Sequence, residues 1–350
     1  MRNKVQGTND GQVVTSVSGA RRISRPLLWL ILTVVLLFIL ASITSWSLFL
    51  QLVSRLNLFA TVFLGIFIEA MPYLLFGTLV SGLVEVFLDR DLMARVISKR
   101  AVPAAISGAL MGMVFPVCEC GVIPLTRRLF HKGMPLPAGI AFLLAAPVFN
   151  PIVIFSTAAA FGWGPMLWWR VGLSLLIAVT VGLIFGMEDD PARVLNSVSL
   201  PMHDHEYTHE ETLVFGRKIQ QALLICADEF FEMGRYLIIG AMLAAGLQTF
   251  IPQNSLLAIG SGPILSVLVM LALAIILSIC STVDAFVALG FAGAFSFGSI
   301  LSFLVFGPMV DIKSTLMYLQ VFRRKPVAYL ILIPFLASLL AGIAFNYFAP

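Results

Sequence analysis

The sequence predicts an all-α polytopic membrane protein, and three observations carry that prediction. Of its 350 residues, 59% are hydrophobic and 11% charged, with a mean hydropathy of +0.99; an ordinary soluble domain is about 45–50% apolar and about 25% charged. The apolar residues lie in long unbroken runs, matching the roughly 20 residues a helix needs to cross a bilayer. The 22 Lys and Arg fall in short clusters between those runs, as the positive-inside rule requires. So little polar surface cannot coat a water-facing globule, which excludes a cytosolic enzyme, a disordered scaffold and a small secreted disulfide domain. A porin-like barrel is excluded because the runs do not alternate. The clustering also explains the net charge of +4 without a nucleic-acid partner; the partner this composition demands is the lipid bilayer.

In chain order, residues 1–25 read as a flexible cytoplasmic tail ending in Arg21, Arg22 and Arg25. Residues 26–50 form an N-terminal transmembrane helix whose apolar core is too long for a signal-peptide h-region. The remaining apolar segments are 56–88, 101–125, 134–162 and 165–187, then 219–251, 263–289, 290–322 and 326–348. Between the two sets lies a polar, His/acid-rich loop, 188–218, expected on the cytoplasmic side. None of the four cysteines (Cys118, Cys120, Cys226, Cys280) suggests an extracellular disulfide framework.

The two sets resemble each other. Glu69, Tyr73, Leu74 and Gly77 match Glu232, Tyr236, Leu237 and Gly240 in an E-x-x-x-Y-L-x-x-G pattern offset by 163. Cys118 pairs with Cys280 at an offset of 162, and Pro147/Asn150 with Pro308/Asp311 at 161. We therefore expect two internal repeats, 56–187 and 219–348. If every segment crosses once with the N-terminus inside, Arg127, Arg128, Lys132, Arg193, Arg217 and Lys218 are exported. If 101–125 and 263–289 instead enter and leave on one side, the basic clusters all face the cytoplasm, which fits the positive-inside rule better. Each half then holds three crossings and one re-entrant hairpin, so the repeats are inverted, a transporter architecture. Four full crossings per half, with parallel repeats, is the alternative.

The most unusual stretch is Phe115-Pro116-Val117-Cys118-Glu119-Cys120-Gly121-Val122-Ile123-Pro124. Two prolines remove amide donors and Gly121 permits positive φ, so helix must break here. Two thiols flanking a carboxylate suit a thiophilic ion, and an ionisable residue inside a membrane points to function more than to packing. Small buried cysteines otherwise behave as hydrophobes. Pro147, Asn150 and Pro151 break a second span; its counterpart holds Pro308 and Asp311, with Lys313 close enough to neutralise the acid. Cys280 and Asp284 are four residues apart, on one face if that segment is helical. Glu69 and Glu232 occupy matching positions and are candidates for proton coupling, Glu232 with Arg235 as a helical neighbour. His203, His205 and His209 in the polar loop form a candidate divalent-metal tract.

These motifs resemble a family of bacterial permeases that includes YraQ, YcgR and the ArsP organoarsenical efflux permeases. The resemblance is carried by Pro116, Cys118, Cys120, Gly121 and Pro124, by Arg127-Arg128-Leu129 and Lys132-Gly133-Met134-Pro135, and by the stretch from Phe142 to Pro151. The Cys-Glu-Cys-Gly form and the Arg-Arg pair look closest to the YcgR branch. The resemblance implies a multi-pass permease of the bacterial inner membrane, N-terminus cytoplasmic, moving a small solute by gradient-driven alternating access. The thiols point to a soft metal or metalloid as solute, and the resemblance, through the arsenical branch of the family, to an organoarsenical; the resemblance also implies a second membrane subunit as partner, and a homo-oligomer is a further expectation. The alternative is a membrane thiol-redox or assembly subunit of a two-component complex; a metal sensor using the His tract is a third. No GxxxxGK[ST], HExxH or Ser-His-Asp pattern occurs, so neither catalysis nor a cofactor is expected.

Overall fold

The computed structural model describes residues 25–88, 97–98, 100–115, 117–188, 190–196, 215–250 and 262–348. The tail before Arg25, Pro116 and the tract with His203, His205 and His209 lie outside the described residues. The chain divides into two units, Met1–Arg55 and Leu56–Pro350. The first is helical from Arg25 onward; the packing below belongs to the second.

The helices are α1 (Arg25–Phe87), α2 (Ala101–Met111), α3 (Glu119–His131), α4 (Leu136–Ala145), α5 (Pro151–Phe161), α6 (Pro165–Phe185), α7 (Pro191–Val194), α8 (Phe215–Phe250), α9 (Leu265–Leu277), α10 (Asp284–Phe291), α11 (Phe297–Phe306), α12 (Ile312–Val321) and α13 (Arg324–Phe348). α1 runs on through 51–55, so the first two apolar segments of the sequence are one helix. Among the described residues the β structure is one antiparallel bridge, Leu195–Phe322. Among the described residues, four helices are long and apolar enough to cross a membrane: Phe49–Phe87 within α1, α6, α8 and α13.

The other four apolar runs are each split in two, at 112–118, 146–150, 278–283 and 307–311. Each break has a local chemical cause. Pro151 occupies the first turn of α5 and Asn150 caps it, its side chain accepting from the Val153 amide at 3.0 Å. Asp311 caps α12 in a reciprocal capping box with Ser314. α9 ends on Ser278 in the left-handed region, φ 49°, and no other non-glycine residue among those described has positive φ. Such a conformation costs on the order of 1–3 kcal/mol and persists where the surroundings impose it.

Neighbour contacts give the course of the chain. Gly108 abuts Ala138 and Gly112 abuts Ala146, so α2 and α4 run side by side in one direction. The ring of Phe130, near the end of α3, lies against Gly139, near the start of α4. The α2–α3 pair therefore enters and leaves at one end of the molecule, here end A. In the second half, Ser266 meets Ser299 at 2.8 Å and Ala274 lies against Gly307, so α9 and α11 also run together. Only 292–296 joins α10 to α11, so the α9–α10 pair turns back too, at the opposite end B. α4 with α5, and α11 with α12, are broken crossings antiparallel to α6 and α13: Pro137 meets Gly182 and Thr157 bonds Arg170, while the Phe306 and Phe335 rings pack at 5.7 Å.

α2, α4 and α6 pack mutually, as do α9, α11 and α13, and α6 joins the two groups through α11 and α13. α4 is buried on every side and α11 nearly so, which explains why both are apolar all round. Lipid offers no hydrophobic drive between helices, so close approach of small residues does that work. α1 crosses α3 where Gly77 faces Gly121, and α8 crosses α12 where a Cβ on Gly240 would lie 2.8 Å from the Lys313 Cα.

Candidate functional site

The four breaks meet at mid-depth. Gly112 abuts Ala146 and Phe149, and Ser278 Oγ donates to Asp311 Oδ2 at 2.9 Å. α3 and α12 start side by side and descend together to end A, where Phe130 and Phe322 pack at 6.1 Å. At their shared origin Lys313 Nζ lies 3.4 Å from Glu119 Oε1 and 3.3 Å from Asp311 Oδ2, each of the three residues 2% exposed. A charge at this depth persists only when paired. The trio carries one ammonium against two carboxylates, leaving a formal surplus of one negative charge. Asp311 is fully engaged, by its cap, Ser278 and Lys313. Glu119 Oε2 has no hydrogen-bond partner among the described residues. The free acceptor on Glu119 is therefore where a proton or cationic solute would balance the trio.

The thiols line the same junction. Cys118 is the extended residue at the N-terminus of α3, φ −80° and ψ 178°, and its thiol lies within interaction range of those of Cys120 on α3 and Cys280 in the α9–α10 turn. Thr282 Oγ1 donates to Cys280 Sγ at 3.5 Å. Three sulfurs from two hairpins thus adjoin the Glu119–Lys313 pair, and Pro124, inside α3, cannot donate to the Cys120 carbonyl. Among the described residues no group of three or more His, Cys, Asp and Glu is placed to hold a metal ion. Half-buried Glu69, on α1, lies within electrostatic range of Cys280 and Lys313, and its Oε1 has no hydrogen-bond partner among the described residues.

Two ion-pair clusters flank this centre. Toward end B, Arg170 Nη2 on α6 meets Asp284 Oδ2 on α10 at 2.6 Å while Nη1 donates to Thr157 Oγ1 at 2.8 Å, all buried. Toward end A, Arg127 pairs with Glu232 at 2.9 Å and Gln320 also donates to Glu232. Arg128 meets Glu229 at 3.0 Å, Ser81 Oγ donates to Glu229 at 2.6 Å, and the Glu85 carboxylate forms looser ion pairs with Arg128 and Lys132 at 3.7 and 3.6 Å.

Residues 55–347 match the family described as Predicted permease, the ArsP group. The chain belongs to this family. It is 44% identical over 303 residues to the UPF0718 protein YcgR of Bacillus subtilis, covering 85% of this chain and 99% of that one. It is 37% identical over 266 residues to a Streptococcus mutans protein named as a subunit of a two-component membrane permease complex, covering 75% of this chain and 87% of that one. No solved structure matches it.

In this permease-family chain the structure brings together Cys118, Glu119, Cys120, Gly121, Cys280 and Asp311, with Pro147 and Pro308 in the adjoining turns. Asn150 spends its amide on its own cap, donating to the Ala146 carbonyl at 3.0 Å. Cys280 precedes α10 and Asp284 begins it, the two joined by one helical turn in which the Asp284 amide donates to the Cys280 carbonyl at 3.1 Å. Glu232 turns to Arg127, 105 residues away, rather than to Arg235. Sequence reasoning missed Arg170 and Glu229. The signal for Arg170 was a lone cation inside 165–187, complementary to the lone acid of 263–289.

Proposed function

We propose that this chain is the solute-conducting subunit of a bacterial inner-membrane permease. In this reading 56–187 and 219–348 are inverted repeats that rock around the junction of the four breaks. The observation that carries it is that junction, where irregular backbone, three thiols and the Glu119–Lys313–Asp311 trio meet at mid-depth. Irregular backbone at that depth is tolerated only against protein or a wet path, and solute sites of inverted-repeat transporters lie at such broken elements. The opposite sense of the α2–α3 and α9–α10 hairpins supports the inversion. Arg100, Arg127, Arg128, Lys132 and Arg323 to Lys325 gather toward end A, which the positive-inside rule assigns to the cytoplasm.

Cys118, Cys120 and Cys280 contact a soft, thiophilic solute such as a trivalent arsenical, because sulfur donors select soft ions. Glu119, with Glu69 in electrostatic range of the same Lys313, takes up the compensating proton. The name of the Streptococcus mutans relative supports a second membrane subunit as partner.

The test is a thermal-shift series on purified protein with trivalent methylarsenical, cadmium and chloride as control. Wild type should be stabilised by several degrees by a thiophilic ligand, and Cys118→Ser/Cys120→Ser should lose the shift and the transport in vesicles while inserting normally. Full transport by that double variant would overturn the thiol role.

A further inference from the structure

One face of α8 is covered by none of the described residues. Leu224, Asp228, Phe231, Arg235, Ile238 and Met242 are spaced 4, 3, 4, 3, 4 and are all exposed. Cys226, Glu229, Met233, Leu237 and Gly240, on the other side, are buried against α1, α3 and α12. The exposed stripe has the heptad spacing of a helix–helix seam, and a Cβ at Gly234 beside it would meet nothing within 4 Å.

An apolar outward face on a membrane helix ordinarily meets lipid; the charge of Arg235 makes this one different. Gly240 lies level with Lys313 at the mid-depth junction. Arg235 is five residues nearer end A, about 7 Å along the axis at 1.5 Å per residue. It therefore lies in the hydrocarbon layer, which extends about 15 Å from the midplane. Among the described residues neither Arg235 nor Asp228 forms an ion pair or hydrogen bond. A charged side chain at such depth in lipid costs a few kcal/mol, and the usual resolution is an opposite charge on a neighbouring helix.

We infer that this seam docks a transmembrane helix of a different membrane subunit, one bearing an acidic residue at the depth of Arg235. A second copy of this chain is the wrong occupant. Two copies sharing one orientation in the membrane would set Arg235 against Arg235 and Asp228 against Asp228 at equal depth, and like charges repel. The inference rests on the two-subunit reading above and adds to it the surface and the chemistry of the partner.

The test uses the full chain in its native membranes, with a benzophenone amino acid placed singly at Phe231, at Ile238 and, as control, at Tyr329, which is 57% exposed on α13. The seam positions should each give one adduct with the same other membrane protein, and Tyr329 none. Arg235→Glu should reduce that adduct at least tenfold, Arg235→Gln should weaken it, and both variants should still purify as a single monodisperse species. Changing one membrane-embedded acid of the captured protein to Lys should restore the adduct in Arg235→Glu. Adducts with lipid alone, with a second copy, or indifferent to charge reversal would overturn the inference. A protein adduct at Tyr329 but not at the seam would keep the two-subunit reading and discard this surface; no protein adduct anywhere would discard both.

Discussion

Lys313 holds the centre together electrostatically. Its ammonium is the nearest counter-charge to both Glu119 and Asp311, and all three are buried. Removing one partner of such a cluster leaves uncompensated charge, which costs about 3–5 kcal/mol, whereas removing both members of a pair is far milder. Lys313→Met should therefore lower the thermal midpoint of the detergent-purified protein sharply, and Lys313→Met/Glu119→Gln should recover much of the loss. If the double variant is no more stable than the single, Glu119 is not the charge that Lys313 neutralises. The Asp311–Lys313 pair was legible in the sequence, because two charges two residues apart in an apolar run have to settle with each other. Glu119 as the third member was not, since its partner lies 194 residues away and only the meeting of α3 and α12 brings them together.

The breaks belong to the scale of elements, and here the sequence speaks most clearly, since a helix ends for reasons within a few residues. Pro147, Pro151 and Asn150, or Pro308 and Asp311, remove donors and supply caps on the spot. The cap makes a measurable claim: Asn150→Ala should destabilise the fold by about 1 kcal/mol while Asn150→Ser, whose hydroxyl can still accept from the Val153 amide without adding a charge, should cost less. Equal losses in thermal melts would mean that Asn150 acts through something other than its cap. Ser278 carried no such signal. Its left-handed conformation follows from the Asp311 carboxylate that its hydroxyl reaches across the junction. The partners of Glu232 and Asp284 were likewise hidden: helical neighbours such as Arg235 are visible in sequence, but Arg127 and Arg170 are neighbours only after the hairpins have packed.

For the whole molecule, the decisive feature is that the thiol junction is flanked toward each end by a different set of ion pairs. Arg170–Asp284 ties α6 to α10 on the end B side; Arg127–Glu232 and Arg128–Glu229 tie α3 to α8 on the end A side. If the two halves alternate in access, weakening one tie should open one end only, and each 1.4 kcal/mol of lost bias changes the open population tenfold. In a Cys226→Ser background, Asp284→Asn should speed reaction of the Cys118, Cys120 and Cys280 thiols with a membrane-impermeant maleimide in intact cells. Glu229→Gln/Glu232→Gln should speed it in inside-out vesicles, each with little change from the other side. The opposite signs matter because a general loosening of the fold would raise labelling from both sides in both variants. Such two-sided labelling would remove alternating access, since the buried pairs would then be holding the protein together rather than choosing which end is open.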